Sequence, residues 1–280
     1  MTTKSSNMLT GCKILVTGGS SGIGNSIARG LVIAGADVFI LSRRSPDTWE
    51  RPMPETWPAK SNWIAADFYH LDRTIEVLNR WLNQEGEDLS VLIHSAVTYG
   101  SNKRRSLLEM NLDEWDHVFK VGPYAYFSVT KLALPYLLKQ PSGLIISISS
   151  EVAYHSGPGR IDYAASKAAS RSFSMSIAEE LKDSNVNVVD LLPENMVDTP
   201  GIRKRRPIGA TLSDYASPDT FIPPILEVVE RMGEGMHGKA FMVTDKAEIL
   251  PLGSKPLPSQ THYGQEPHVQ NDQVFYQSLR

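Results

Sequence analysis

The chain has 280 residues, of which 41% are hydrophobic and 21% are charged, and its formal net charge at pH 7 is −3. This is the composition of an ordinary globular protein that can bury a sizeable core. The charge gives no reason to expect a nucleic acid or an anionic membrane as a partner.

Three features bear on the cellular compartment. Cys12 is the only cysteine, so no internal disulfide can form, which fits a reducing compartment. Residues 1–10 are polar and lack the apolar segment of a secretory signal. No apolar run approaches the ~18 residues that a membrane-spanning helix needs. We therefore expect a cytoplasmic protein.

Short apolar runs alternate with stretches of helical periodicity along most of the chain. Ile23, Ile27 and Leu31, for example, recur at helical spacing directly after such a run. This alternation predicts an α/β fold with a doubly wound parallel sheet of about seven strands. The strands are predicted at residues 13–17, 38–41, 63–66, 91–93, 144–148, 186–192 and 240–243. The helices are predicted from Ile23, over 71–82, as one long helix from Asn111, over 161–182, and after Ser217-Pro218.

The pattern predicts a single domain over residues 1–249 with two irregular stretches. Residues 45–60 contain four prolines and two tryptophans, which favours a surface insertion. Residues 250–280 are rich in Pro, Gln, Ser and His and have no periodicity. We expect that stretch to be an irregular C-terminal extension rather than a second domain.

A glycine-rich loop joins the first predicted strand to the first helix, in the segment Thr17-Gly-Gly-Ser-Ser-Gly-Ile-Gly24. Glycines allow a tight turn and a close approach to a pyrophosphate, and a helix N-terminus offers free N–H groups. Such loops also occur for packing alone, but the flanking strand and helix favour dinucleotide binding here. The predicted binding residues are Gly18, Ser20, Ser21, Gly22, Ile23 and Gly24.

The end of the second strand bears on the choice of cofactor. NAD-binding folds place an acidic residue there for the ribose 2′-hydroxyl, whereas an arginine accommodates a 2′-phosphate. This chain has Ser42-Arg43-Arg44 and no acid at that point. Although the arginines could belong to a solvated loop, the sequence predicts NADP(H) rather than NAD.

Tyr163 and Lys167 are separated by four positions in a predicted helix, so their side chains share one face. A free tyrosine has a pKa of about 10, too high for efficient proton transfer near neutrality. A cation nearby favours the phenolate, and we expect Lys167 to lower the pKa of Tyr163. A tyrosine and a lysine at this spacing also occur by chance on helix surfaces.

Ser150 stands thirteen positions before Tyr163, at the end of a predicted buried strand. With this spacing, the glycine loop and the Tyr163–Lys167 pair, the chain resembles the short-chain dehydrogenase/reductase family from about Gly11 to Thr244. The resemblance implies that Ser150 hydrogen-bonds the substrate oxygen and that Tyr163 gives or takes its proton. Lys167 would adjust the pKa of Tyr163 and hold the nicotinamide ribose.

The resemblance also implies further contacts. The cofactor would be contacted by Asp67, Phe68, Ser95, Ala96, Pro193 and Thr199. Residues 194–216 correspond to a substrate lid, in which residues 203–206 are all basic and would either attract an acidic substrate or form a solvated loop. His155 is a candidate substrate contact, with simple polar lining as the alternative. Because the histidines lack metal-ligand spacing, we expect no metal.

Four positions depart from the family pattern. They are His94-Ser95-Ala96-Val97 in place of Asn-Asn-Ala-Gly, Gly122 in place of a relay asparagine, Pro193-Glu194 in place of Pro-Gly, and the missing glycine pair after the last strand. Two hypotheses follow. The chain is either an oxidoreductase for a small carbonyl or alcohol, with specialised metabolites among the candidates because these four positions are altered, or a catalytically weak NADP-binding protein with a regulatory or assembly role. Family analogy predicts a homodimer or homotetramer.

Overall fold

The computed structural model describes residues 8–101, 105–155 and 157–254. The strands are β1 (Lys13–Thr17), β2 (Asp37–Ser42), β3 (Trp63–Ala65), β4 (Leu89–His94), β5 (Gly143–Ile148), β6 (Val186–Pro193), β7 (Lys239–Val243) and β8 (Ile249–Pro251). The α-helices are α1 (Gly22–Ile33), α2 (Ala59–Asn62), α3 (Leu71–Glu85), α4 (Leu112–Phe119), α5 (Ala125–Leu137), α6 (Ile161–Leu181), α7 (Pro200–Arg203) and α8 (Ile222–Glu230). None of the helices in these ranges is long and apolar enough to cross a bilayer.

All eight strands belong to one sheet in the order β3-β2-β1-β4-β5-β6-β7-β8. Every neighbouring pair is parallel except β7 and β8, which are antiparallel. The order reverses direction between β1 and β4, so a crevice opens at the carboxyl ends of these two strands. The predicted doubly wound fold is confirmed.

The sheet is buried on both faces, which explains why its strands are continuous apolar runs. Ile14 and Val16 of β1 pack on one side with Ile27 of α1. Leu15, which lies between them in the chain, packs on the other side with Leu78 of α3. The two layers of helices fix the strand ends at which the crevice lies.

The structure differs from the prediction at one boundary and in one of the irregular stretches. Strand β8 crosses the boundary placed at residue 249, so the sheet extends to Pro251 and only residues 255–280 of the predicted extension lie outside the described ranges. The stretch 45–60 is more than a surface insertion, because Trp49 and Trp57 are buried in the core beside α1. The Trp57 indole N–H donates to the carbonyl of Val38 at 2.8 Å.

The prediction of one long helix from Asn111 is wrong. The Asn111 side chain does cap α4, accepting from the N–H of Glu114 at 2.8 Å. A short π-helical segment, Lys120–Tyr124, then separates α4 from α5, and Gly122 within it has non-helical angles (φ −89°, ψ −108°). Pro123 explains the break, because a proline disfavours the helical conformation of the residue before it and has no N–H to donate.

Candidate active site

One cleft of about 420 Å³ opens at the carboxyl ends of the central strands. All the sequence-predicted cofactor and catalytic residues line it, whereas His155 is exposed and is not among the lining residues. The structure thus brings distant segments to one site but leaves the proposed substrate contact at His155 outside it. The predicted residues that line the cleft are Gly18, Ser20, Ser21, Gly22, Ile23, Gly24, Arg43, Arg44, Asp67, Phe68, Ser95, Ala96, Ser150, Tyr163, Lys167, Pro193 and Thr199.

The glycine loop forms one wall of the cleft with its backbone. Gly18 has a φ of +74°, and a Cβ there would lie 2.5 Å from the Cα of Ala96. A Cβ on Gly24 would lie 2.6 Å from the carbonyl oxygen of Gly18. Helix α1 begins at Gly22 without an acidic residue in its first turn and without a side-chain cap at Ser21. Its free N–H groups and the side-chain-free backbone therefore fit a bound pyrophosphate.

Arg43 and Arg44 line the cleft next to this loop. The Arg44 guanidinium donates to the Ser20 hydroxyl at 3.3 Å, and the Arg44 carbonyl accepts from the Trp49 indole at 2.9 Å. The backbone of Arg44 is therefore held by the 45–60 stretch while its side chain stays beside the phosphate loop. Asp67 uses its carboxylate to cap the turn that follows it, accepting from the N–H of Tyr69 at 3.0 Å.

The opposite wall carries the three predicted catalytic residues. Ser150 follows β5, and Tyr163 and Lys167 share one face of α6. The Lys167 ammonium donates to the carbonyl of Ile148 at 2.7 Å and lies 6.0 Å from the centre of the Tyr163 ring. The Tyr163 ring packs against Tyr99 with a centroid distance of 4.8 Å.

The expected lowering of the Tyr163 pKa is wrong for the structure as it stands. Burial, followed by the nearby Tyr99 and Glu151, raises the pKa of Tyr163 well above its ordinary value. Burial also lowers the pKa of Lys167 to about 8, against the opposing effect of Asp190 and Glu151. Burial therefore outweighs the lowering of the Tyr163 pKa by the Ser150 hydrogen bond and by Arg160, and Tyr163 keeps its proton at neutral pH.

A small polar cavity of about 30 Å³ adjoins Lys167 where the family pattern has its relay asparagine. This volume is enough for one water molecule. Gly122 and Ser166 both line the cavity, and a Cβ on Gly122 would be in van der Waals contact with the Cβ of Ser166 at 3.4 Å. Ser147 and Ser170 also line the cavity, so it offers several hydrogen-bonding partners close to the lysine.

The sequence analysis missed a buried carboxylate, Asp190, which is the cross-strand neighbour of Ser147 in the cavity lining. Asp190 of β6 accepts from the Ser174 hydroxyl at 2.7 Å, and Ser174 is 2.6 Å from the Tyr126 hydroxyl. Burial raises the pKa of Asp190 to about 6. A charged residue in a mostly apolar strand was the available signal. Burial likewise lowers the pKa of His94, whose ring packs against Tyr126, to about 3.

The segment after β6 covers one end of the cleft. Thr199 caps α7, and its methyl group would lie 3.1 Å from a Cβ on Gly22, so this segment meets the glycine loop. Among its basic residues, Arg203 pairs with Asp198 at 2.6 Å, and the Arg205 guanidinium lies 4.7 Å from the centre of the Tyr99 ring. These two side chains therefore bind protein groups rather than forming a freely solvated patch.

Within the described ranges, no three His, Cys, Asp or Glu side chains are grouped so as to hold a metal ion. Two further polar residues missed by the sequence analysis, Glu151 and Arg160, line the cleft near Tyr163. Neither belongs to a recognisable motif, and only the adjacency of Glu151 to Ser150 could have pointed to it.

Comparison with known proteins agrees with this geometry. The short chain dehydrogenase family profile matches residues 13–207. A 3-oxoacyl-(acyl-carrier-protein) reductase from Thermotoga maritima is 30% identical over 198 residues, covering 70% of this chain and 78% of the reductase. Nodulation protein G from a Rhizobium species is 32% identical over 189 residues, covering 66% of this chain and 73% of that protein.

Two solved structures share the fold and contain NADP. A short chain dehydrogenase from Burkholderia cenocepacia is 25% identical, with a TM-score of 0.69 over 86% of this chain and 99% of the other. One from Shigella flexneri is 23% identical, with a TM-score of 0.73 over 85% and 99% of the two chains. Profile, relatives and fold agree, and the chain belongs to the short-chain dehydrogenase/reductase family of oxidoreductases.

Proposed function

We propose that this protein is an NADP(H)-dependent oxidoreductase that interconverts a carbonyl and an alcohol on a small organic substrate, a class that includes specialised metabolites. The observation that carries the proposal is the meeting of Ser150, Tyr163 and Lys167 with the glycine loop in one cleft. Segments separated by well over a hundred residues supply complementary parts of the same site.

The three side chains have distinct roles in the proposal. Tyr163 acts as the general acid in reduction, because burial keeps its hydroxyl protonated and available for the substrate oxygen. Lys167 is held by the carbonyl of Ile148 on the same side of the cleft and places a positive charge near the phenol. Ser150 hydrogen-bonds the substrate oxygen and fixes its position relative to Tyr163.

The cofactor assignment rests on the wall opposite the catalytic residues. Gly18, Gly24 and the start of α1 fit a pyrophosphate, and Arg43 and Arg44 offer guanidinium groups where no acid follows β2. When bound, the dinucleotide supplies or accepts the hydride. Two structural relatives that contain NADP support the same assignment.

Titration of the purified protein with NADPH and NADH, followed by fluorescence, tests the cofactor preference. We expect NADPH to bind more tightly, because charged hydrogen bonds to the 2′-phosphate each contribute about 1.5–3 kcal/mol. Arg43→Met and Arg44→Met should each weaken NADPH binding roughly tenfold or more and leave NADH binding little changed.

Arg73→Met provides the matched control, because Arg73 is exposed on α3 and does not line the cleft. Tighter binding of NADH than of NADPH by the wild-type protein would contradict the NADP assignment. Failure of both dinucleotides to bind would contradict the proposed function as a whole.

A further inference from the structure

A row of polar side chains crosses the sheet near the carboxyl ends of its central strands. In the strand register, Thr17 of β1 lies opposite His94 of β4, and His94 lies opposite Ser147 of β5. Asp190 of β6 completes the row opposite Ser147, and its partner on β7 is the uncharged Ala240. Because side chains alternate between the two faces of a sheet, residues in one register row share a face. The four polar residues are all buried, so the row is a polar layer inside the core.

Side chains of α5 and α6 hydrogen-bond this row from the adjacent layer. The His94 ring nitrogen Nε2 lies 2.9 Å from the Thr130 hydroxyl of α5. The Ser174 hydroxyl of α6 donates to the Asp190 carboxylate at 2.7 Å and lies 2.6 Å from the Tyr126 hydroxyl. Burial raises the pKa of Tyr126 and lowers that of His94, so both groups are neutral at pH 7. The carboxylate of Asp190 is therefore the charge in this layer.

Lys167 reaches the same layer from α6. Its side chain lines the small cavity together with Ser147, the cross-strand neighbour of Asp190. The Lys167 ammonium donates to the carbonyl of Ile148, the residue that follows Ser147. The charge of Asp190 opposes the lowering of the Lys167 pKa by burial, and Lys167 in turn opposes the raising of the Asp190 pKa by burial. A buried ammonium stays protonated more readily beside an opposite charge, so the two groups stabilise each other's charged forms.

Other ionisable groups also face this pair. Arg171, one turn after Lys167 on α6, lowers the pKa of Asp190 against the dominant effect of burial. Glu151 raises the pKa of Lys167, but by less than Asp190 does. Tyr163, on the same face of α6, keeps its proton because burial raises its pKa. Asp190 is therefore the main negative charge that acts on Lys167.

The buried carboxylate makes the folded protein less stable when it is ionised, because burial disfavours its charged form. A neutral side chain of the same shape would avoid this cost, and such costs are typical of functional sites. We propose that Asp190 is a positioning residue whose carboxylate is the counter-charge of Lys167 and holds the lysine in its charged form at the cleft. The inference rests on the proposed function, in which the charge of Lys167 acts beside Tyr163.

NMR of the full chain labelled with ¹³C at the lysine Cε follows the charge of Lys167 directly, without cofactor or substrate. The resonance of Lys167 is identified by its loss in Lys167→Met. In the wild type, we expect its titration midpoint at about pH 8. Asp190→Asn removes the negative charge with little change in shape, so the midpoint should fall by about one pH unit or more.

Ser174→Ala is the matched control, because it removes the same hydrogen bond to Asp190 but keeps the carboxylate. Its Lys167 midpoint should stay close to that of the wild type. Equal midpoints in the wild type and Asp190→Asn, or the same lowering in both variants, would overturn the inference. If Asp190→Asn does not fold, the wild type decides. Its Lys167 resonance should show a second, smaller inflection at about pH 6, where Asp190 titrates, and the lack of this inflection would overturn the inference.

The pH dependence of turnover connects the inference to the proposed function. With NADPH and a carbonyl substrate of the wild type, the alkaline limb of kcat/KM should move to lower pH in Asp190→Asn by the same amount as the Lys167 midpoint. A shifted midpoint with an unshifted limb would contradict only the role of Lys167 in the proposed function. The NMR titration needs neither cofactor nor turnover, so failure of the inference and failure of the proposed function are distinguishable.

Discussion

The two walls of the cleft are built on different physical principles. The phosphate wall consists of backbone, and its shape depends on the absence of side chains at Gly18 and Gly24. The catalytic wall carries the buried titratable groups Tyr163 and Lys167, with the buried carboxylate of Asp190 outside the cleft, and the pKa values of all three depend on burial and on neighbouring charges. Steric fit should therefore govern the first wall at any pH, whereas pH should govern the second.

A Gly18→Ala substitution tests the steric wall and should have the largest effect on stability. The new Cβ would combine an unfavourable positive φ with a backbone clash at 2.5 Å. We expect a loss of about 2–5 kcal/mol in the free energy of unfolding together with loss of NADPH binding. Urea unfolding and fluorescence titration measure the two effects.

Gly209→Ala is the matched control for that variant. Gly209 also has a positive φ, +84°, but a Cβ there would meet nothing within 4 Å. The Gly209→Ala variant should lose only about 1–2 kcal/mol in the free energy of unfolding, which is the cost of a positive φ, and should keep its cofactor affinity. Equal losses of unfolding free energy in the two variants would show that the positive φ, and not the close approach to Ala96, accounts for the effect of Gly18→Ala.

An Asp190→Asn substitution tests the electrostatic wall. The pKa of Asp190 is raised to about 6 in the folded protein, so the neutral acid is favoured and its contribution to stability is lost as the pH rises from about 4 through 6. That pKa difference corresponds to about 3 kcal/mol. From pH 4 to pH 7, the variant should therefore gain about this much stability relative to the wild type, as measured by urea unfolding. If the stability difference between the variant and the wild type does not change with pH, Asp190 does not contribute to the pH dependence of stability.

Removal of the surface ion pair between Arg51 and Asp219 should have the smallest effect on stability. It is bidentate, with distances of 2.8 and 3.0 Å, and ties the 45–60 stretch to the start of the turn before α8. Both side chains are more than 40% exposed, at 41% and 44%. Arg51→Met should cost about 1 kcal/mol or less in urea unfolding and leave NADPH affinity unchanged. A clear loss of NADPH affinity would show that this stretch supports the phosphate wall through Arg44.

The same contrast explains which parts of the site the sequence could predict. The glycine loop, Arg44 and the spacing of Ser150, Tyr163 and Lys167 are local patterns, and the fold places all of them on one cleft. Cytoplasmic location and the homo-oligomeric state stay predictions.

The expectations that failed depend on contacts between distant segments. The raised pKa of Tyr163 follows from burial and from Tyr99 and Glu151, neither of which lies in the same helix. His155 is close to Ser150 in the chain, but it is exposed and does not line the cleft. The break at Gly122 was local, and the following Pro123 was the overlooked signal.

The most direct test of the central claim is the rate of substrate-dependent NADPH oxidation by the Tyr163→Phe variant. The substitution removes only the hydroxyl, so NADPH affinity should be retained while kcat/KM falls by about 10²–10⁴-fold. Tyr136→Phe is the control, because the Tyr136 hydroxyl bonds Asn83 at 3.0 Å outside the cleft. An unchanged rate in Tyr163→Phe would contradict the assignment of Tyr163 as the proton-transfer group.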